Sequence, residues 1–370
     1  SEATNRRYAD MGKHMTKLTG LRVRRLSLPL RVPYKLAFGP VTAFDTIIVD
    51  VVGDDGSAGI GEATILTGYT SETIDGCWQT VCRLAETVLG LDADAAKDAL
   101  SVHHPEAPFS VTALVTAIEM MQGHTLLQTT PNTRVPLLAT LNATEEAEII
   151  REVQAHADAG YTTIKVKIGW DVADDLARTR FIQSCLPPGV RIRVDGNQGY
   201  SRNEGIAYAS QIEPVGIELL EQPCHMDDWD AAKAVAAVSN VPFMLDESIY
   251  GPDEIERAAE LGNVSYVKLK LMKAGSLDNL AAQLRLIRTL GMTPVLGNGV
   301  ASDLGCWMEA CVAGALIDNA GEMNGFLKPV TPLFREPLKV TDGAVMLPSM
   351  VPSFGEIGAF MKDIHSLGGL

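Results

Sequence analysis

The sequence repeats one pattern eight times from Val135 onward, and this repeat limits the possible fold more than any other feature. Each unit is a short apolar run followed by an amphipathic, alanine-rich stretch. The starts of successive runs lie 23 to 29 residues apart, which is room for a strand, a helix and two loops. Eight consecutive units of this kind predict a (β/α)8-type barrel. An open, doubly wound sheet is the alternative, but no G-x-G-x-x-G motif follows an early strand.

The eight runs share a β-rich, apolar composition. They are VPLLATLN from Val135, TTIKVKIG from Thr162, RIRVDGN from Arg191, GIELLEQP from Gly216, PFMLDES from Pro242, YVKLKLMKAG from Tyr266, TPVLGNG from Thr293 and LIDNAGEMNG from Leu316. We expect the barrel to occupy residues 131–330 and to be the catalytic domain.

The chain before the barrel has a different pattern. Two strand-like segments flank the turn sequence Asp54-Asp55-Gly56-Ser57, which predicts a β-hairpin. Helical segments are expected near 71–90 and 110–129. Residues 16–130 are therefore predicted to form an α+β capping domain.

The two ends of the chain are predicted to lie outside the barrel. Residues 331–370 contain LKVTDGAVMLP, which is typical of a short hairpin, and we expect this segment to return to the capping domain. Residues 1–15 contain no apolar core for a secretory signal. They resemble a vector-derived segment, with Met15 as the expected natural start.

Composition excludes several classes of partner. The chain has 370 residues, a formal net charge of −15 and a pI near 4.9, which argues against a nucleic-acid backbone or an anionic membrane as the main partner. No stretch reaches the roughly 18 uninterrupted apolar residues of a membrane helix. The six cysteines are scattered, without a CxxC pair, so we expect a reduced, cytoplasmic protein.

Acidic residues stand at the ends of three consecutive runs: Asp195, Glu221 and Asp246. Catalytic groups of such barrels come from the carboxyl ends of the strands, so these side chains are expected to converge. Like charges at one point need a cation. A ligand set of oxygen atoms without His or Cys favours Mg²⁺ over zinc or copper.

Lysine pairs stand in the runs on either side of these acids. Residues two apart in a strand point to the same face, so Lys165 and Lys167 both point into the barrel mouth, and the same holds for Lys268 and Lys270. An ammonium beside a metal and a second ammonium is expected to have a lowered pKa, which suits a base. Strands two and six lie on opposite sides of a barrel, so one lysine can face each side of a planar intermediate.

This arrangement defines a class of reaction. The metal binds a substrate carboxylate, a lysine removes the α-proton, and the charge is stabilised as an enediolate. The opposite lysine then decides the product. Reprotonation of the carbon gives a racemase or epimerase, whereas protonation of a β-leaving group gives a dehydratase.

Five motifs together resemble the muconate-lactonizing-enzyme-like subgroup of the enolase superfamily over roughly residues 18–365. They are KVK at 165–167, DGN at 195–197, ELLEQP at 218–223, LDES at 245–248 and KLKLMKAG at 268–275. The resemblance implies that Asp195, Glu221 and Asp246 bind Mg²⁺ and that Lys167 and Lys270 are the acid/base pair.

The resemblance also implies supporting roles. Lys165 would tune Lys167 and touch the substrate carboxylate, and Lys268 would also line the substrate site. Asn197 and Glu247 would lie behind the metal ligands.

Departures from the family pattern narrow the reaction. Strand seven, TPVLGNGV, has no His, which excludes the mandelate-racemase-like branch. Dipeptide epimerases of the family carry DxD at strand eight, where this chain has Gly321-Glu322-Met323-Asn324, so a dipeptide substrate is not expected. Glu322 could instead pair with a cationic nitrogen of an amino or imino acid. Asn298 would form a neighbouring polar wall.

Loops of the capping domain would select the substrate. Tyr34, Lys35, Phe38 and Tyr69 are candidates for contact. These loops show no Arg cluster for a second, distal carboxylate, so a compact monocarboxylate is expected.

EQPC, GNGVASDLG and AGEMNGFLK resemble the branch that dehydrates cis-3-hydroxy-L-proline to Δ1-pyrroline-2-carboxylate. The main prediction is therefore a Mg²⁺-dependent lyase (a hydroxyproline dehydratase). The alternative is a racemase or epimerase of an amino or imino acid with the same lysine pair, and a third possibility is a catalytically silent barrel. A homo-oligomer is expected from the family.

Overall fold

The computed structural model describes residues 15–36, 39–66, 71–348 and 350–370, and the side chains of residues 34–36 and 39 are not described. The chain forms two compact units. The first contains the residues up to His124 together with Ile357–Leu370, and the second is Thr125–Glu356. Within the described ranges, no helix combines the length and apolar character that crossing a bilayer requires.

The first unit is built on a four-stranded antiparallel sheet. Its strands are β1 (Leu18–Leu36), β2 (Gly39–Gly53), β3 (Ala58–Ile65) and β14 (Met361–Gly368), in the order β14-β1-β2-β3. The predicted hairpin turn is present between β2 and β3, where Gly53 N donates to Ser57 O at 2.8 Å. Gly56 has φ +82° there, a conformation that favours glycine.

Three helices accompany this sheet. They are α1 (Ile74–Val88), α2 (Ala93–Ser101) and α3 (Pro108–Met121). The sequence predicts α1 and α3, but places the end of α3 near 129 and misses the short α2. The α3 helix packs so closely on β3 that a Cβ at Gly59 or Gly61 would lie 2.0 Å from a helix carbonyl oxygen. The two glycines of β3 therefore permit this contact.

The second unit is built on a parallel sheet of seven strands in sequential order. The strands are β5 (Ala139–Leu141), β6 (Thr163–Lys167), β7 (Arg191–Asp195), β8 (Ile217–Glu221), β9 (Phe243–Leu245), β10 (Tyr266–Leu269) and β11 (Thr293–Leu296). The helices are α4 (Glu146–Asp158), α5 (Val172–Cys185), α6 (Arg202–Gln211), α7 (Trp229–Val238), α8 (Pro252–Glu260), α9 (Leu271–Ala274), α10 (Leu277–Thr289) and α11 (Asp303–Leu316). The alternation of strand and helix is the one predicted from the repeat.

The eighth run closes the barrel without forming a regular strand. Glu322 N donates to Leu296 O at 3.1 Å, and Leu138 N donates to Gly321 O at 2.9 Å. Gly321 also pairs with Leu137 in a parallel bridge. The segment therefore joins β11 to the chain that leads into β5, and the (β/α)8-type barrel is confirmed.

The first run and the last hairpin differ from their predicted positions. Residues Arg134–Pro136 form a separate strand, β4, which pairs with β13 (Ala344–Met346), and β13 pairs with β12 (Lys339–Thr341). Val135 lies opposite Val345 in this small sheet, and both are buried. Apolar burial thus holds the hairpin in the second unit, and only Ile357–Leu370 joins the first unit. The predicted return of all of 331–370 does not occur.

Candidate active site

Three carboxylates lie at the carboxyl ends of three neighbouring barrel strands. Asp195 is the last residue of β7, Glu221 is the last residue of β8, and Asp246 directly follows β9. Asp195 and Glu221 are paired in the parallel register. All three are buried, with exposed fractions of 0%, 1% and 4%. The structure places the three acids singled out in the sequence at one edge of the barrel.

Two buried lysines contact this cluster from different strands. Lys165 Nζ, on β6, lies 3.0 Å from Asp195 Oδ2 and 3.2 Å from Glu221 Oε2. Lys268 Nζ, on β10, lies 3.1 Å from Glu221 Oε1 and 3.5 Å from Asp246 Oδ2. The carboxylates of the cluster are therefore largely neutralised by the side chains of the chain itself.

Glu322 lies on the same two lysines. Lys165 Nζ is 2.9 Å from its Oε1, and Lys268 Nζ contacts its Oε2. A Cβ at Gly297, which has φ +140°, would lie 2.4 Å from Glu322 N, so the close packing that closes the barrel also sets the position of Glu322. The sequence shows no basic neighbour for this residue because its partners lie on strands two and six.

Lys167 and Lys270 lie on opposite sides of the cluster. Lys167 Nζ is 2.6 Å from Asp195 Oδ2 and contacts Asn197 Oδ1. Lys270 Nζ is 2.9 Å from Asp246 Oδ1. The strands that carry or precede them, β6 and β10, are separated in the sheet by β7, β8 and β9. Lys167 is 38% exposed in its side chain, whereas Lys270 is buried.

The pKa values of Lys165 and Lys268 correct the expectation that these ammonium groups are easily deprotonated. Burial lowers the pKa of each, but the nearby carboxylates outweigh it. Asp195, Glu221 and Glu322 raise the pKa of Lys165 above its ordinary value. Glu221, Glu322 and Asp246 raise that of Lys268. Both side chains are therefore cations in this structure, and neither is poised as a base.

The acids respond to the same field in different directions. Burial raises the pKa of Asp195, but the ammonium groups of Lys165 and Lys167 hold it below its usual range. Burial likewise raises the pKa of Asp246 and of Glu322, but neighbouring lysines outweigh it and hold both pKa values well below their usual range. Burial and the neighbouring Asp195 raise the pKa of Glu221.

Asn197 and Glu247 connect the cluster from behind. Asn197 N donates to Asp195 Oδ1 at 2.9 Å, and Asn197 Nδ2 donates to Glu247 Oε1 at 2.9 Å. Burial, followed by the charges of Asp246 and Asp195, raises the pKa of Glu247 to about 7. Asn197 therefore links Asp195 to Glu247, the residue that follows Asp246.

Gln222 is a site residue that the sequence analysis missed. Its Oε1 accepts hydrogen bonds from Asp246 N at 3.0 Å and Ser248 N at 3.3 Å. Its Nε2 donates to Cys224 O at 3.0 Å and Ser248 Oγ at 2.9 Å. The available signal was a polar residue directly between Glu221 and a proline.

Two further lysines lie near the cluster. Burial lowers the pKa of Lys273 to about 8, and its Nζ lies 4.8 Å from the centre of the Tyr250 ring. Lys328 Nζ donates to Gly299 O at 2.6 Å. Neither was singled out in the sequence, although Lys273 lies within KLKLMKAG and Lys328 ends AGEMNGFLK, because other residues of these motifs carried the argument.

The remaining predicted contacts have different outcomes. Asn298 is buried, and its Oδ1 accepts a hydrogen bond from Val300 N at 2.8 Å, so it holds its own loop. The side chains of Tyr34 and Lys35 lie outside the described residues, as do Phe38 and Tyr69 altogether.

The donor set fits Mg²⁺. The three ligand candidates offer only carboxylate oxygens from adjacent strands, which a hard cation prefers. Glu247 Oε2 is buried and accepts no hydrogen bond, whereas Asp246 Oδ1 already has the Lys270 ammonium at 2.9 Å. A buried carboxylate oxygen without a donor is costly, and a cation would satisfy such an oxygen.

Two family profiles match the chain. The profile for "Enolase C-terminal domain-like" matches residues 148–352, and the profile for the "Mandelate racemase / muconate lactonizing enzyme, N-terminal domain" matches residues 18–121.

Curated relatives and solved structures extend this result. The chain is 26% identical to an L-Ala-D/L-Glu epimerase of Bacillus subtilis over 357 residues, which cover 93% of this chain and 97% of the relative. It is 29% identical to an aromatic dipeptide epimerase of Herpetosiphon aurantiacus over 334 residues, covering 86% and 91%. The fold matches a dipeptide epimerase of Cytophaga hutchinsonii, solved with Mg and D-Ala-L-Val, with a TM-score of 0.84 at 20% identity, covering 95% and 99%.

These comparisons correct the main functional prediction. The relatives are epimerases, which are isomerases, and they do not support the hydroxyproline-dehydratase branch or a lyase. The comparisons favour the alternative of a racemase or epimerase.

Proposed function

The chain belongs to the enolase superfamily, in the family of mandelate racemase and muconate lactonizing enzymes, and from this premise we propose that it is a Mg²⁺-dependent epimerase or racemase. Its substrate would be an amino-acid unit with a free carboxylate, and the reaction would invert the α-carbon. Names of the relatives support isomerisation over loss of water.

One observation carries the proposal: Lys167 and Lys270 flank the carboxylate cluster. Lys167 Nζ is held by Asp195, and Lys270 Nζ is held by Asp246. A proton acceptor on one side and a proton donor on the other are what inversion of a carbon requires. Two lysines on one side would favour exchange without inversion.

Each residue of the site has a separate role in the proposed reaction. Lys167 takes the α-proton on one face, and Lys270 returns a proton on the other, or the reverse for the opposite isomer. Asp195 and Asp246 orient the two amines. Bound Mg²⁺, held by Asp195, Glu221 and Asp246, would neutralise the charge that develops on the substrate carboxylate.

Glu322 bears on the class of substrate. Its carboxylate is shared by Lys165 and Lys268, so a substrate ammonium would have to compete with two buried ammonium groups. This favours an α-nitrogen in an uncharged amide, as in the carboxyl-terminal residue of a dipeptide. The amino-terminal part would then be held differently from the DxD arrangement, because the segment Gly321–Asn324 supplies one carboxylate.

A deuterium screen tests the proposal. Pools of L,L-dipeptides, free amino acids and cis-3-hydroxy-L-proline are incubated with the protein and Mg²⁺ in D₂O and analysed by chiral chromatography with mass spectrometry. We expect one or more dipeptides to gain one mass unit and to form a second stereoisomer. Loss of water from the hydroxyproline, with no dipeptide changed, would contradict the proposal.

A further inference from the structure

Four charges, three of them buried and the fourth, Glu322, 13% exposed in its side chain, form a closed ring of alternating sign in the barrel. Lys165 contacts Glu221, Glu221 contacts Lys268, Lys268 contacts Glu322, and Glu322 contacts Lys165. The members come from the second, fourth, sixth and eighth positions of the barrel. Layers of four side chains from alternate strands fill the interior of such barrels, and bulky apolar residues usually form them. Here one layer consists of charges.

The ring is balanced, since within it each ammonium contacts two carboxylates and each carboxylate contacts two ammonium groups. Lys165, Lys268 and Glu221 are 3%, 4% and 1% exposed, so water screens these charges little. Removal of one member leaves its neighbours with an uncompensated charge. The ring members next to the removed charge then interact more strongly with other charged groups nearby.

The partners close by belong to the carboxylate cluster. Glu221 is a member of both the ring and the cluster, Lys165 Nζ lies 3.0 Å from Asp195, and Lys268 Nζ lies 3.5 Å from Asp246. Any ammonium drawn closer to these oxygens competes with a cation for them. Glu322 contacts both ammonium groups from outside the cluster, and therefore holds part of their charge away from it.

From this geometry we propose that Glu322 and Lys268 are positioning residues that set the Mg²⁺ affinity of the cluster, in opposite directions, through the ring. This inference rests on the proposed function in one respect, namely that the carboxylate cluster binds Mg²⁺. It makes no assumption about the substrate. Glu322 favours the cation by engaging Lys165 and Lys268. Lys268 disfavours it by engaging Glu221 and Asp246.

The two substitutions have opposite expected effects. In Glu322→Gln the ammonium groups of Lys165 and Lys268 lose one carboxylate partner and interact more strongly with the carboxylate cluster. Mg²⁺ binding should therefore weaken by about tenfold or more. Lys268→Met removes a competing ammonium, and binding should tighten by about tenfold. The double variant restores the balance of the ring, and its affinity should return to within about threefold of that of the original protein. A purely structural role would weaken binding in every variant.

Titration calorimetry of the metal-stripped full chain with Mg²⁺, without substrate, tests this. Mn²⁺ binding followed by electron paramagnetic resonance gives a second readout, and circular dichroism checks the fold. Glu322→Asp keeps the charge and should rescue the affinity. Lys233→Met and Glu213→Gln, at exposed positions, are the matched controls and should change nothing.

Opposite shifts with cancellation in the double variant would support the proposal. Weakening by both single variants, no change in either, or no Mg²⁺ binding by the original chain would overturn it. If Glu322→Gln does not fold, Lys268→Met and Lys268→Gln still test the sign. Failure of the deuterium screen alone would refute the proposed reaction and leave this result standing, so the two failures are distinguishable.

Discussion

Gln222 Oε1 accepts a hydrogen bond from the backbone nitrogen of Asp246 at 3.0 Å. This bond joins the ends of β8 and β9, which carry two of the three candidate metal ligands. Gln222 has φ +31°, an uncommon value for a residue other than glycine, and its side chain is buried. Its strained backbone and the four hydrogen bonds of its side-chain amide indicate that Gln222 fixes the spacing between Glu221 and Asp246.

Replacing Gln222 with Leu should therefore weaken both the fold and the metal site. The change leaves the buried N–H of Asp246 without its acceptor, which costs about 1–3 kcal/mol in the free energy of unfolding. Loss of a partner behind a ligand typically lowers metal affinity about 10–100-fold. Urea unfolding and calorimetry with Mg²⁺ measure the two effects. Gln211→Leu, at an exposed helix end, is the control, and equal behaviour of both variants would contradict the role given to Gln222.

Mg²⁺ should stabilise the protein against heat. A ligand at about 100 times its dissociation constant adds about 2.7 kcal/mol, which for a chain of this size corresponds to a rise in Tm of roughly 3 °C. Asp246→Asn replaces one of the three candidate carboxylate ligands with a neutral amide, and should lose the rise. Scanning calorimetry with EDTA and with Mg²⁺ measures it. The same rise in both proteins would place the cation elsewhere.

Three buried cysteines, Cys77, Cys224 and Cys311, should be chemically silent in the folded protein. Burial raises the pKa of Cys77 and Cys311 to about 12, and that of Cys224 to about 11. Their thiols are protonated at pH 8, and their thiolate fraction rises about tenfold for each pH unit up to the pKa. Labelling of these three with a disulfide reagent should thus be slow at pH 8 and faster at pH 10, and all six cysteines of the chain should react completely in denaturant. Rapid labelling of Cys224 at pH 7 would show that this part of the site opens.

The local sequence pattern predicted the features that depend on the strands and on the residues at their ends. The barrel and the positions of Asp195, Glu221 and Asp246 follow from the alternation of strands and helices, because parallel strands end at one edge. The partners of Glu322 could not be predicted, since they arise when the barrel closes and brings strand eight against Lys165 and Lys268. The same limit explains the lysine pKa values, which depend on carboxylates from other strands.

Other misses have local causes. The helix α2 is nine residues long and begins at an Asp92 cap, too short a segment for a clear periodic pattern. The hairpin around Gly343 was assigned to the wrong unit because its pairing with β4 depends on contacts more than 200 residues apart in the chain. The sequence could not separate isomerisation from loss of water, because the same lysine pair would suit both reactions, and the relatives favour isomerisation.

The exchange of the α-proton in single-lysine variants tests the central claim most directly. The original protein with Mg²⁺ in D₂O should exchange this proton in both stereoisomers of the substrate found in the screen, as followed by proton NMR. Lys167→Ala and Lys270→Ala should each lose interconversion by about 10³-fold, yet each should still exchange one isomer, and not the same one. Lys233→Met should behave as the original. Loss of exchange in the same isomer by both variants, or full interconversion by either, would contradict an active site with one lysine on each face.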